Sequence, residues 1–274
     1  MPKHTLESWF AGRATILFQP ILEIAEMETF AFEALSRGPA GTPIENAASL
    51  FELVRATRQE LRADRHCIDL ALRTASRADT TAAFALNVHP STLEADLGFV
   101  EFLAATLARE SIDPRRVIIE ILEEPREFDV PRVAAVVREL QHEGVRIALD
   151  DVGVGLWNYR VVAQLSPDLL KVDQRVVDGC ASDGDRRSVL RSICLLADNI
   201  GAELVAEGIE RDADLEVVAG LRIRYGQGFL FQHPGPLADL VARSFVLQIP
   251  NAAATKEMAC RERRSSSWTT PTRF

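Results

Sequence analysis

The chain contains 274 residues, with 40 acidic side chains against 31 basic ones, so its formal net charge is −9. Apolar residues make up 47% of it and charged residues 26%, which is typical of globular proteins and unlike chains that stay unfolded. The acidic surplus argues against polymeric nucleic acid as a partner, because proteins bind such polymers mainly through basic side chains. A phosphate ligand would need metal cations to supply the missing positive charge.

The cysteines and the hydropathy pattern indicate in which cellular compartment the protein is expected. Cys67, Cys180, Cys194 and Cys260 form no C-x-x-C pair, which favours free thiols in a reducing compartment. The first residues lack the apolar core of a signal peptide. No apolar run reaches the roughly 18 residues that a membrane span requires. We therefore expect a cytoplasmic protein without membrane insertion.

Short β-branched runs alternate with segments of helical periodicity along most of the chain. The predicted strands are Ile16–Phe18, Phe30–Glu33, Phe84–Val88, Val117–Leu122, Arg146–Asp150, Leu169–Val172, Glu203–Ala206 and Tyr225–Phe229. Helices are predicted at Val130–His142 and Arg186–Ile200, where apolar residues recur every three or four positions and a glycine follows. About eight such units predict an α/β fold with a largely parallel sheet, a (β/α)₈ or TIM barrel in one domain.

The periodicity ends near Asn251, and we expect three segments along the chain. Residues 1–13 are a lead-in, residues 14–248 form the folded domain, and residues 249–274 form a disordered, mildly basic tail. Attraction of the tail to an anionic partner is an alternative interpretation.

Polar side chains stand at or near the carboxyl ends of the predicted strands. They are Glu33, Asn87, Glu120, Asp150, Asp151, Lys171, Glu207 and Gln227. In a parallel barrel these strand ends share one face, where active sites are built. Each residue taken singly has an ordinary structural explanation, as a turn, a loop cap or a solvated charge. Together, in register with the strands, they predict one convergent site.

Five converging carboxylates would repel one another strongly without cations. All the candidate ligands are oxygen atoms, which suits hard ions such as Mg²⁺ or Mn²⁺ rather than Zn²⁺. The adjacent Asp150 and Asp151 could serve two metal ions, a recurrent arrangement for phosphoester hydrolysis. The Gly153-Val154-Gly155 turn does not indicate a dinucleotide loop, because Asn158 stands where the third glycine is needed.

The order of motifs resembles the EAL domains, bacterial phosphodiesterases of cyclic di-GMP. The signature is Glu33-Ala34-Leu35-Ser36-Arg37. Around it, in order, come Phe18-Gln19-Pro20-Ile21, Asn87, Glu120-Ile121-Leu122-Glu123, Asp150-Asp151-Val152-Gly153, Lys171-Val172-Asp173, Glu207-Gly208 and Gln227-Gly228-Phe229. The resemblance covers roughly residues 14–245 and implies a modified TIM barrel.

The resemblance also implies a function and a role for each matched residue. The reaction would be metal-dependent hydrolysis of cyclic di-GMP to linear pGpG with two Mg²⁺ or Mn²⁺ ions. The first ion would be held by Glu33, Asn87, Glu120 and Asp150, and the second by Asp151. The attacking water would be positioned by Lys171 and Gln227, and Glu207 would be the general base or a further ligand. The loop after Asp151 would be held by Glu123, and the substrate would be contacted by Gln19, Leu35 and Arg37.

The sequence departs from the family pattern in that loop. Active members usually read Asp-Asp-Phe-Gly, a small residue, then Gly-Tyr-Ser-Ser, whereas here Val152, Leu156, Trp157 and Asn158 replace the aromatics and hydroxyls. Leu122 likewise replaces a threonine.

An active phosphodiesterase is the leading hypothesis. The alternative is a cyclic di-GMP receptor or protein-interaction module without turnover. A related cyclic dinucleotide or another phosphodiester as substrate is also open. The resemblance implies a homodimer, and a regulatory protein partner is a further hypothesis.

Overall fold

The computed structural model describes residues 9–10, 14–124, 126–155 and 157–242. Within these ranges eight strands form a closed barrel in sequence order. They are β1 (Thr15–Glu23), β2 (Glu28–Arg37), β3 (Ala83–Val88), β4 (Val117–Ile121), β5 (Arg146–Val152), β6 (Leu169–Val172), β7 (Glu203–Ala206) and β8 (Tyr225–Gly226). The predicted α/β barrel in one domain is thereby confirmed.

Helices surround the barrel, mostly between consecutive strands. They are α1 (Ala47–Ala56), α2 (Glu60–Ala75), α3 (Pro90–Ala95), α4 (Phe99–Glu110), α5 (Val130–His142), α6 (Tyr159–Leu165), α7 (Gln174–Val177), α8 (Gly184–Ile200), α9 (Asp212–Gly220) and α10 (Leu237–Ala242). A short 3₁₀ turn at Pro114–Arg116 precedes β4. The predicted helix Val130–His142 has the observed bounds, and the second predicted helix begins two residues earlier, at Gly184.

The first strand differs from the expected repeat of strand and helix. β1 runs antiparallel to both β2 and β8, and only the other neighbouring pairs are parallel. β1 and β2 are joined by a tight hairpin turn instead of a helix, with Met27 at φ +56°. The alternation of strands and helices therefore does not extend to this position, and the barrel is a modified one, as the resemblance implied.

Buried apolar side chains form two layers, one inside the barrel and one between its strands and the surrounding helices. The inside is packed by small and branched residues, including Ala31, Ala85, Ala148 and Ile118. The larger layer lies between the strands and the helices and includes Phe84, Val137 and Leu190. Alternate residues of a strand point to opposite sides of the sheet, so β3 sends Ala85 inward and Phe84 toward the helices. This packing fixes the register that brings the polar residues to one end.

Trp9, in the predicted lead-in, is buried against α1 and α2. It is 0% exposed, clusters with Leu50 and Val54, and its indole Nε1 donates a hydrogen bond to the backbone oxygen of Arg37 at 3.1 Å. The boundaries predicted at residues 14 and 248 stay predictions, and the predicted tail, with Cys260, lies outside the described residues. The other cysteines, Cys67, Cys180 and Cys194, have free thiols, as expected.

Candidate active site

One buried ammonium group lies at the centre of the carboxylate cluster. Lys171 is 1% exposed, and its side chain rises from β6 at the carboxyl end of the barrel. Its Nζ lies 2.7 Å from Glu207, 2.9 Å from Glu120, 3.0 Å from Asp150 and 3.5 Å from Glu33. These residues come from β2, β4, β5, β6 and the end of β7, so the structure brings together what the strand-end pattern predicted.

Side-chain amides extend the cluster on the β2 side. Asn87 Nδ2 donates a hydrogen bond to Glu33 Oε1 at 3.0 Å, and Gln227 Nε2 donates to Glu33 Oε2 at 2.7 Å. Gln227 Nε2 also lies 3.1 Å from Gln19 Oε1, and Gln19 in turn donates to the backbone oxygen of Gln232. β8 is only two residues long, so Gln227 follows the strand rather than belonging to it. These contacts fix both oxygens of Glu33.

A β-bulge places two adjacent carboxylates in the site. In a regular strand, Asp150 and Asp151 would point to opposite sides of the sheet. The β5–β6 register instead shifts between Leu149 and Val152, and Asp151 has the left-handed φ of +57°. As a result, oxygens of Asp150, Asp151 and Glu207 lie within 4.8 Å of one another. The bulge makes a carboxylate triad that straight strand geometry would not give.

The pKa values of the clustered side chains are changed by burial and by the charges that lie close to one another in the pocket. Burial, opposed by Lys171 and reinforced by Asp150, raises the pKa of Glu207 to about 8. Burial also raises the pKa of Asp151 to about 7, with Asp150 and Asp173 adding to the rise, and it raises the pKa of Glu120 well above its usual value. Burial alone would lower the pKa of Lys171, but the surrounding carboxylates raise it well above its usual value.

Glu33 differs from its neighbours. Burial would raise the pKa of its carboxyl, but Lys171 and the hydrogen bonds from two side-chain amides lower it below the usual value. Glu33 is therefore held as a carboxylate, while Glu120, Asp151 and Glu207 favour the protonated form as long as Lys171 is the nearest cation.

The residues present fit divalent metal ions. The triad of Asp150, Asp151 and Glu207 offers only hard oxygen ligands, and the raised pKa values of Asp151 and Glu207 mean that a cation would relieve repulsion there. In addition, Gln227 Oε1 is buried and has no hydrogen-bond partner among the described residues. Glu33, Asn87, Glu120 and Asp150 form a second set of oxygen-bearing side chains beside the triad.

An open cavity of about 370 Å³ leads to the carboxylates. Its walls include Glu33, Asp151, Glu207, Gln227 and Gln19, together with Arg175 and Phe229. Arg175 brings a positive charge to this otherwise acidic wall, although its guanidinium group is engaged with Asp173. The cavity is therefore open to a polar ligand that could reach the carboxylates.

Three of the residues singled out in the sequence lie outside this cluster. Leu35 lines a separate, largely apolar cavity of about 190 Å³, which also touches Glu33 and Asn87. Arg37 ends β2, donates from its guanidinium group to the backbone oxygen of Ser36 at 3.0 Å, and has its pKa lowered by burial. Glu123 faces the loop after β5, where its Oε1 accepts a hydrogen bond from the backbone N–H of Trp157 at 3.3 Å.

Sequence reasoning gave no role to Asp173, which supports Asp151. Asp173 is 1% exposed, caps α7, and accepts hydrogen bonds from the backbone N–H and the Nε of Arg175. These contacts lower the pKa of Asp173 despite its burial, and its carboxylate accepts a hydrogen bond from the protonated carboxyl group of Asp151. The available signal was its position two residues after Lys171, at the end of a strand.

An eight-stranded α/β barrel with an acidic site at its carboxyl end is a common architecture. Comparison with known proteins identifies the family within this fold class to which the chain belongs. A model of the EAL domain family matches residues 6–234. The chain therefore belongs to the EAL domain family, as the resemblance predicted.

Relatives and solved structures agree with this assignment. The cyclic di-GMP phosphodiesterase PdeA of Borreliella burgdorferi is 28% identical over 200 residues, covering 72% of this chain and 30% of PdeA. The PaMucR phosphodiesterase in complex with c-di-GMP superimposes with a TM-score of 0.79 at 24% identity, covering 87% of this chain and 99% of that one, which shows a shared fold. The calcium and cy-diGMP complex of Klebsiella pneumoniae BlrP1 has a TM-score of 0.75 at 26% identity, covering 82% of this chain and 57% of that one.

The chain spans a minor part of many curated relatives, covering 22% of the length of several of them. Among the helices of the described ranges, none is long and apolar enough to cross a membrane.

Proposed function

We propose that this protein hydrolyses cyclic di-GMP to linear pGpG with the help of two divalent cations, Mg²⁺ or Mn²⁺. The observation that carries the proposal is the convergence of Glu33, Glu120, Asp150 and Glu207 on Lys171, beside Asp151, at the catalytic end of the barrel. Membership of a family that includes named cyclic di-GMP phosphodiesterases supports the same activity. The calcium and cy-diGMP complex of BlrP1 supports the involvement of a divalent metal.

The carboxylates and one amide would hold the metal ions. Glu33, Asn87, Glu120 and Asp150 would bind the first ion, and Asp151 the second, with Glu207 nearby. When bound, the ions would lower the pKa of the attacking water and neutralise charge on the phosphate. The hydrogen bonds from Gln227 and Asn87 would keep Glu33 ionised and correctly oriented for this task.

Lys171 and Glu207 would manage the proton of the attacking water. The Lys171 ammonium is fixed by carboxylates on several sides, so it can donate a hydrogen bond and orient the water. Glu207 would accept the proton, because the bound cations would lower its pKa and hold it as a carboxylate that can act as general base. The water oxygen would form a bond to phosphorus as the phosphorus–O3′ bond breaks. O3′ would take up one proton, which balances the proton that Glu207 accepts from the water, leaving a 5′-phosphate on one guanosine and a 3′-hydroxyl on the other.

The substrate would be held by Gln19 in the cavity wall and by Leu35 and Arg37 on β2. Arg37 would contact a phosphate, since a guanidinium group matches phosphate oxygens in geometry and charge. Gln19 is positioned for contact by its hydrogen bonds to Gln227 and to the backbone of Gln232. Leu35 would offer an apolar surface to the nucleoside. Glu123 would hold the loop after Asp151 through the backbone N–H of Trp157.

The decisive test is product formation. The full-length protein is incubated with cyclic di-GMP and Mg²⁺ or Mn²⁺, and pGpG is followed by chromatography. The wild type should form pGpG. Glu33→Ala should reduce the rate by more than the roughly 10–100-fold that losing a partner of a metal ligand costs. Glu28→Ala is the matched control, because Glu28 is exposed at the opposite end of the same strand and should leave the rate unchanged.

Absence of pGpG at high protein concentration with both metals would overturn the proposal. Tight binding of cyclic di-GMP in that case would identify a receptor without turnover, and absence of binding would indicate a role directed at a protein partner.

Homodimerisation and a cytoplasmic location form part of the same proposal. The loop after Asp151 and the start of α6 carry exposed apolar side chains, with Val154 42% and Tyr159 72% exposed, which supports a contact surface there. Sedimentation equilibrium would measure the oligomeric state directly.

A further inference from the structure

We infer that Trp157 is a positioning residue for the paired carboxylates Asp150 and Asp151, and that its indole N–H sets the affinity of the site for divalent metal. The inference rests on the proposed function, since it concerns the metal site of that reaction. Trp157 Nε1 donates a hydrogen bond to the backbone oxygen of Asp150 at 2.6 Å.

The backbone oxygen that accepts the hydrogen bond from Trp157 belongs to the peptide group between Asp150 and Asp151. Rotation of that group changes ψ of Asp150 and φ of Asp151 together, so its orientation sets the direction of both side chains. The β5–β6 register places the two aspartates opposite the single residue Lys171, outside regular strand pairing. A hydrogen bond at this oxygen therefore fixes a part of the backbone that regular pairing does not fix.

Asp151 needs such a restraint because of its backbone conformation. Its φ of +57° lies in the left-handed region, which residues other than glycine adopt uncommonly, and such a position persists when surrounding contacts determine it. Without the indole contact, the peptide group could relax and separate the oxygens of the triad. The expected consequence is a weaker metal site within an intact barrel.

Trp157 is itself held from several sides. Its ring meets Phe128 edge-on, with centroids 6.4 Å apart, and its backbone N–H donates to Glu123 Oε1. Asn158, the next residue, caps α6 by accepting a hydrogen bond from the backbone N–H of Val161 at 3.0 Å. The indole is thus fixed between the start of a helix and the loop after β4, which makes it a rigid donor.

The experiment measures Mn²⁺ binding by isothermal titration calorimetry on the metal-stripped, full-length protein without nucleotide. Trp157→Phe keeps a ring against Phe128 but removes the N–H donor. We expect its Mn²⁺ affinity to fall by about 10–100-fold, the usual effect of losing a group that orients a metal ligand. Trp9→Phe is the matched control. It also removes one indole hydrogen bond to a backbone oxygen, that of Arg37, and should leave Mn²⁺ affinity unchanged.

Each outcome decides the inference. Equal affinity of Trp157→Phe and wild type would overturn it, and so would an equal loss in Trp9→Phe. A wild type that binds no Mn²⁺ would overturn it together with the metal requirement of the proposed function. A wild type that binds Mn²⁺ but forms no pGpG would overturn only the proposed function, because the difference between the two variants would still decide the role of Trp157.

A second measurement applies if Trp157→Phe fails to fold. The chain has three tryptophans, at positions 9, 157 and 268, so Trp9→Phe combined with Trp268→Phe leaves Trp157 as the sole emitter. Its emission should change on adding Mg²⁺, with the same midpoint as a calorimetric titration of the same protein with Mg²⁺. Constant emission across the range in which Mg²⁺ binds would overturn the inference.

Discussion

Lys171 and Glu207 show how burial and neighbouring charges change the pKa values of single residues in this site. Burying an ammonium group is unfavourable unless opposite charges surround it, and Lys171 meets that condition through four carboxylates. The carboxylates outnumber it, so some of them favour the protonated form, among them Glu207 with its pKa raised to about 8. The occupancy of the site should therefore be linked to pH.

The metal-free protein should become less stable as pH rises from about 4.5 to 8. In this range folded Glu207 still holds a proton that the unfolded chain, with the ordinary value of 4.5, has released. The folded state thus binds more protons, and the free energy of unfolding falls as pH rises. Glu207→Gln cannot titrate and should show a decline that is shallower by on the order of 4 kcal/mol across the range, since each pKa unit corresponds to about 1.4 kcal/mol.

Urea unfolding at several pH values, with chelator present, measures this dependence. The exposed Glu216→Gln is the control and should retain the wild-type slope. A wild-type slope for Glu207→Gln would contradict the assignment of the raised pKa to Glu207.

At the scale of elements, the loop between β5 and α6 depends on a close approach to Glu123. A Cβ added at Gly155 would lie 1.9 Å from both carboxylate oxygens of Glu123. The carboxylate is the end of a flexible side chain and could swing away at small cost in stability. It would then release the backbone N–H of Trp157. The glycine therefore matters more for the geometry of the loop than for the stability of the fold.

Gly155→Ala should accordingly lower the rate of the proposed cyclic di-GMP hydrolysis by about 10–100-fold while leaving the melting temperature nearly unchanged. Gly220→Ala is the control, because a Cβ there would meet no atom within 4 Å and should affect neither quantity adversely. Steady-state kinetics and thermal unfolding of both variants provide the measurement. A wild-type rate for Gly155→Ala would show that Glu123 is not needed to hold the loop.

The elements also show what the sequence could and could not predict. Polar residues at strand ends predicted the carboxylate cluster, since strand and helix alternation alone brings those ends together. The hairpin between β1 and β2 was missed because its turn has no Asn-Gly or Asp-Gly signal and places Met27 at positive φ. The contacts of Trp157 with Asp150 and of Trp9 with Arg37 depend on loop conformation, which residue spacing does not encode.

For the whole molecule, the predicted end of the folded domain at residue 248 can be tested by truncation. A chain ending at residue 248 keeps all eight strands and α10, so its melting temperature and rate of pGpG formation should equal those of the full chain. A chain ending at residue 220 lacks β8 and should fail to fold cooperatively. Differential scanning calorimetry distinguishes these outcomes. A lower melting temperature for the longer fragment would show that residues 249–274 contribute to the fold.

The antiparallel first strand has a consequence for the order of folding. β1 is paired on one side with its sequence neighbour β2, but on the other side with β8, where Leu22 lies opposite Gly226. These partners are roughly two hundred residues apart, so this contact carries a large loop-closure cost. On the ribosome, the hairpin can form early while its outer edge stays unpaired until the last strand has emerged. During synthesis the nascent chain therefore exposes an open sheet edge until β8 is available to pair with β1 and close the ring of strands.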